Sequence, residues 1–179
     1  MATALLVIDV QRELVDALAP QRRTEFLGTL GTLLERARGS GVPVVYVRHD
    51  GSPGELVPGT PGWEVAGEIA PRPGESIVDK RFSDAFRETD LAAVLEKLGA
   101  DRIVACGMQT EYCVDATIRE AERRGYHVTL VQDGHATYPA EGASEEQIRD
   151  QVHRVARGRL AEILPAAEIF TAAYVAEGG

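Results

Sequence analysis

Three side chains of the 179-residue chain are of types that together perform acyl transfer: Asp9, Lys80 and Cys113. A thiol attacks a carbonyl carbon, a carboxylate takes the proton the thiol gives up, and a cation holds the thiolate. Asp9 stands near the end of the apolar run Leu6-Val7-Ile8-Asp9-Val10-Gln11, where a carboxylate is costly unless paired or hydrogen-bonded. Taken singly it also reads as a helix cap or an acceptor for backbone amides. Lys80 follows Val78-Asp79, and singly it reads as a solvated lysine at a strand end; Lys97 is the chain's other lysine, and arginine supplies the remaining basic side chains. Cys113 ends the run Met108-Gln109-Thr110-Glu111-Tyr112-Cys113, which turns from a strand into a helix. A thiol in the first turn of a helix meets unpaired N–H groups and the positive end of the dipole, both of which favour the thiolate. The same amides can hold an oxyanion. The competing reading is a buried structural cysteine, and that reading is given to Cys106, inside the strand.

The elements that must position these groups follow from hydrophobic pattern. Leu5–Val10, Val42–Val47, Arg102–Cys106 and Val128–Val131 are short, β-branched and apolar without alternation, as buried parallel strands are. Ser76–Asp79 and Glu168–Phe170 are weaker strand candidates. Phe26, Leu27, Leu30, Leu33, Leu34 and Ala37 form a helical stripe stopped by Gly39 and Gly41, and Leu91, Val94, Leu95 and Leu98 form another before Gly99. The spacing predicts a helix from Tyr112 to Arg124 ended by Gly125, and a last helix opened by a Ser144–Gln147 capping box and reaching about Leu164. Strands alternating with helices give a mostly parallel α/β sheet covered on both faces. In such a sheet ligands bind beyond the carboxyl ends of the strands, where Asp9, Lys80 and Cys113 all fall. Residues 51–74 hold five of the nine prolines and the single tryptophan, Trp63, which reads as a long ordered lid loop over about 51–75 within a single domain spanning 1–179.

Composition narrows the partners. Hydrophobic residues make up 44% and charged residues 26%, a globular balance that excludes a disordered or fibrous chain. With 19 Lys+Arg against 28 Asp+Glu the net charge is -9, which argues against nucleic acid as a partner. No apolar stretch approaches the roughly 20 residues that cross a bilayer, and Met1-Ala2-Thr3-Ala4 runs into a strand pattern without a basic leader. Two cysteines suit a reducing compartment. The expectation is a cytoplasmic protein that binds neither membrane nor nucleic acid and takes a small-molecule substrate.

Four segments in order resemble the isochorismatase-like cysteine hydrolases, a family of Rossmann-like amidohydrolases. They are Leu6-Val7-Ile8-Asp9-Val10-Gln11, Lys80-Arg81-Phe82-Ser83-Asp84-Ala85-Phe86, Cys106 to Thr117, and Val131-Gln132-Asp133-Gly134-His135-Ala136. The resemblance implies a three-layer fold with six parallel strands, and homodimers or homotetramers. It implies a catalytic triad of Asp9, Lys80 and Cys113, and a non-proline cis peptide between Met108 and Gln109. That peptide would turn the Gln109 N–H, with that of Cys113, toward a substrate carbonyl oxygen. A thioester mechanism follows, in which the three pKa values are strongly coupled.

The chain also departs from the nicotinamidases of that family, which bind a metal through an Asp-x-His motif after the second strand. Here the place reads Arg48-His49-Asp50-Gly51, and no histidine follows until His127, so no metal and no cofactor are expected. Specificity is assigned to His49, Trp63, Phe82, Tyr112 and His135, each with a packing alternative: Trp63 as a loop staple, His135 as a turn residue. His127 and His153 read as surface or structural positions. The implied function is cleavage of a C–N bond in a small amide, ureido or lactam compound. The alternatives are a vinyl-ether hydrolase, against which Cys113 argues, and a non-catalytic thiol-redox or binding protein on the same fold.

Overall fold

The computed structural model describes residues 2–176, and among them six strands form one parallel sheet. These are β1 (Ala2–Ile8), β2 (Val44–His49), β3 (Ser76–Lys80), β4 (Ala100–Met108), β5 (His127–Ala136) and β6 (Glu162–Leu164), in spatial order β3-β2-β1-β4-β5-β6. The chain builds outward from β1 to β3, then crosses back to place β4 on the other side of β1. The crevice between the carboxyl ends of β1 and β4 is therefore the switch point, where open α/β sheets bind ligands.

The central strands are apolar on both sides because both sides are covered. Leu5 and Val7 of β1 pack with α1 (Arg12–Asp16) and α2 (Pro20–Gly39). Ala4, Leu6 and Ile8 pack with α3 (Leu91–Lys97), α4 (Asp115–Arg123) and α5 (Glu145–Ala156). The result is three layers. A short α6 (Ala172–Ala176) ends the described chain, and no helix among the described residues is long and apolar enough to cross a membrane.

Several boundaries differ from expectation for identifiable reasons. β5 runs on to Ala136 through a bulge: its register with β4 jumps from Ala105↔Leu130 to Gly107↔His135. The capping box at Ser144 and Gln147 forms, but α5 stops at Ala156, just before Gly158 takes φ +69. Residues beyond it make β6 instead of more helix. Glu168–Phe170 is not a strand; Ile169 and Phe170 are buried in the first core layer from a turn, since a short apolar run does not by itself choose between strand and turn. The segment after β2 is less a free lid than a strap. Leu56, Trp63, Val65, Ala66 and Ile69 are buried in the core beneath α1 and α2.

One glycine sets how closely the two central strands approach at the switch point. Gly107 has φ +132, and a Cβ there would lie 2.0 Å from the Ile8 carbonyl oxygen. Gly107→Ala should therefore push β4 from β1 and lower unfolding free energy by about 3 kcal/mol or more, measured by urea denaturation.

Candidate functional site

The site forms where four strand ends meet. Asp9 directly follows β1 with φ +51, a left-handed conformation that Asp tolerates better than most residues, and its N–H donates to the Val47 carbonyl at 2.9 Å. Lys80 closes β3, the neighbour of β2 rather than of β1, so its long stem passes the end of β2 to reach Asp9. Cys113 lies in a π-helical turn, Thr110–Val114, that links β4 to α4. The expected position of this thiol in the opening turn of a helical segment is thus what the structure has.

All three protons of the Lys80 ammonium find acceptors. Nζ lies 2.7 Å from Asp9 Oδ2, 3.3 Å from Cys113 Sγ and 3.0 Å from His49 Nδ1. Asp9 and Lys80 are each 1% exposed. Asp9, His49 and Cys113 bring one donor atom each within 4.8 Å of one another, the convergence a small cation needs; the cation bonded to all three is the chain's own ammonium. Asp9 Oδ1, the carboxylate oxygen not paired with Lys80, is buried with no hydrogen-bond partner of good geometry among the described residues.

Electrostatics follow from burial. Desolvation raises the Asp9 carboxyl above its ordinary range, and the Lys80 charge and hydrogen bonds only partly oppose it. Burial also pushes the Cys113 thiol up, to about 12, with the Asp9 charge adding and Lys80 opposing. The helix terminus favours thiolate, and burial acts in the opposite direction. His49 is lowered, first by burial and then by the Lys80 charge.

A cleft of about 300 Å³ opens onto this cluster, with Asp9, His49, Gln109, Tyr112 and Cys113 in its lining. Tyr112, 59% exposed, stands at its lip. The Met108–Gln109 peptide is cis. Three other candidates lie elsewhere. Trp63 is buried: its Nε1 donates to Asp50 Oδ1 at 3.0 Å and the Arg48 guanidinium stacks on its ring, so it staples the strap. Phe82 stacks against Arg87 while its neighbours Arg81 and Ser83 line the cleft. His135 is fully buried by the β5 bulge, with Nδ1 2.9 Å from Thr110 Oγ1 and Nε2 2.9 Å from His153 Nε2; His153 is buried too. His127 is exposed.

Sequence reasoning passed over Asp50, Glu55 and Arg81 of the cleft wall, and above all Gln11. That buried amide donates to the His49 carbonyl at 3.0 Å and the Trp63 carbonyl at 2.8 Å, and accepts from the His49 N–H at 2.8 Å. The signal was available: an amide two residues past Asp9 in an apolar run must find partners.

With the geometry in hand, comparison with known proteins is specific. The isochorismatase domain matches residues 3–163. A streptothricin hydrolase of Streptomyces noursei is 40% identical over 161 residues, which is 89% of this chain and 58% of that protein. The chain thus spans less than two thirds of that relative's length. An isochorismatase structure from Pseudomonas putida KT2440 superposes with a TM-score of 0.84 at 31% identity, covering 92% of this chain and 88% of that one. N-carbamoylsarcosine amidase from Thermoplasma acidophilum superposes with a TM-score of 0.80 at 28% identity, covering 94% and 99%.

The electrostatic arrangement predicts opposite responses to two substitutions. Asp9→Asn removes the charge that raises the thiol and leaves the thiolate as the anionic partner for Lys80, so the Cys113 midpoint should fall by roughly 1 unit or more. Lys80→Met should raise it. The pH dependence of Cys113 alkylation by iodoacetamide, followed by peptide mass spectrometry, reads both.

Proposed function

Because the chain belongs to the isochorismatase domain family, we propose that it is a cysteine-dependent hydrolase that cleaves a C–N bond of a small amide, ureido or lactam compound. The observation that carries this reading is the ammonium of Lys80 bonded to both a carboxylate and a thiol at the mouth of a small cleft. The relatives named as streptothricin hydrolase and N-carbamoylsarcosine amidase support it.

In the proposed reaction, Asp9 Oδ1 accepts the Cys113 proton, and Lys80 balances the negative charge as it passes from carboxylate to sulfur. The sulfur attacks the amide carbonyl carbon. The charge that develops on oxygen is taken by the N–H groups of Gln109 and Cys113. Protonated Asp9 then donates to the departing nitrogen as the C–N bond breaks, leaving a thioester on Cys113. Water, deprotonated by Asp9, attacks the thioester and releases the acid, and the proton returns to sulfur. One water is consumed, and the products are a carboxylic acid and an amine or ammonia.

Burial serves this cycle. A carboxyl raised above its ordinary range is a stronger base when ionised, and one better able to hold a proton until the leaving group needs it. The elevated thiol prevents ionisation before a carbonyl is present to take the charge onward.

The test is release of ammonia or amine from a panel of primary amides, carbamoyl compounds and cyclic amides. One or more should be hydrolysed. Cys113→Ala and Asp9→Asn should each lower kcat by roughly a thousandfold or more. Undiminished turnover by Cys113→Ala would overturn the mechanism. Reversible peroxide-dependent modification of Cys113 without turnover of any compound would favour a thiol sensor instead.

A further inference from the structure

The Lys80 ammonium has three N–H bonds and no lone pair, so in each of its contacts it donates. At 3.0 Å, His49 Nδ1 must therefore accept, which requires that nitrogen to be unprotonated. The imidazole is then neutral with its hydrogen on Nε2, and it is half-buried along the cleft wall. Its position is not left to the side chain alone. Gln11 grips the His49 backbone from both sides, donating to its carbonyl and accepting from its N–H. Gln11 is in turn held by the Trp63 carbonyl, and the Trp63 indole by Asp50. A chain of contacts, most of them partly buried, thus runs from the strap to the imidazole and on to the ammonium.

We propose that His49 is a positioning residue: its Nδ1 lone pair takes the third Lys80 proton and aims the ammonium between Asp9 and Cys113, and the site works only while His49 is neutral. This rests on the reaction proposed above. Two of the ammonium's protons go to the reacting carboxylate and sulfur; a fixed third acceptor removes its freedom to rotate or lean toward solvent. Protonation of His49 replaces that acceptor with an N–H and sets two like charges about 3 Å apart.

The groups facing His49 determine when that happens. Lys80 at the end of β3 opposes protonation, as does burial; Asp9 after β1, with Asp50 and Glu55 on the segment after β2, favours it. Cys113 in the π-helical turn and Arg81 on the cleft wall complete the surroundings. The balance lowers the imidazole below its ordinary value. Turnover should therefore carry an acid limb whose midpoint lies below the ordinary imidazole value of about 6.5, and activity is lost as pH falls through it.

Two measurements test the proposal without needing a substrate. Nitrogen-15 NMR of the wild-type protein should show His49 as the Nε2–H tautomer, with a titration midpoint below that of free imidazole. A protonated Nδ1 at neutral pH, or a midpoint at or above the free value, would overturn it. Second, His49→Asn keeps an acceptor near the Nδ1 position, whereas His49→Phe fills the space without one. Alkylation of Cys113 by iodoacetamide at fixed pH should stay within roughly threefold of wild type in His49→Asn and fall roughly tenfold in His49→Phe. Equal rates in the two variants would overturn it. In the turnover assay, His49→Asn should also change the acid limb, which then reports the Asp9 carboxyl without the imidazole, and an unchanged limb would count against the proposal. If the NMR and alkylation results hold and no compound is hydrolysed, the reaction assignment fails while the positioning role of His49 stands.

Discussion

A buried ammonium with every proton spoken for is the constraint around which the rest of this structure is arranged. Removing a lysine and an aspartate from water costs several kcal/mol for each charge. Lys80 and Asp9 recover that cost at 2.7 Å, and His49 and Cys113 occupy the ammonium's remaining protons. None of the four residues is close to the others in sequence except through the sheet. The parallel arrangement brings the carboxyl ends of β1, β2, β3 and β4 to one edge, and each contributes one group there. The close approach of β4 to β1 at Gly107 keeps the edge narrow enough for the contacts to form.

The same burial that makes the site costly gives its groups unusual properties. In water, a carboxylate is a weak base and a thiol ionises partly near neutrality. Here desolvation raises both, and the nearby Lys80 charge opposes the shift in each. The cleft at this edge is small, about 300 Å³, at the low end of the range for ligand pockets. Acidic side chains Asp50 and Glu55 and the basic Arg81 share its wall. Charge on a ligand therefore meets both signs at the entrance.

Much of this was legible in the residues, and the failures have physical causes. The central strands were readable because burial on both faces demands continuous apolar sequence, and Asp9 stood out as a carboxylate at the end of such a run. Cys113 was placed by its strand-to-helix turn, which shows the favourable dipole; the opposing effect of burial is not visible from sequence position. Trp63 and His135 looked like recognition residues since aromatic and imidazole side chains beside a site often are. In fact Trp63 anchors the strap and His135 is carried into the core by a bulge that local pattern does not reveal. Gln11 and His49 illustrate the reverse case. Their coupling joins segments 38 residues apart, and only the sheet register brings them together.

The claim that the two buried charges tolerate burial only as a pair is tested most directly by a double-mutant cycle on folding stability. Unfolding free energies of wild type, Asp9→Asn, Lys80→Met and the double variant, from urea denaturation, supply it. Each single substitution should cost about 3–5 kcal/mol because it strands the other charge. The double variant should then cost less than their sum by roughly 2 kcal/mol or more. Additivity within about 0.5 kcal/mol would contradict the account, since it would mean that neither charge depends on the other.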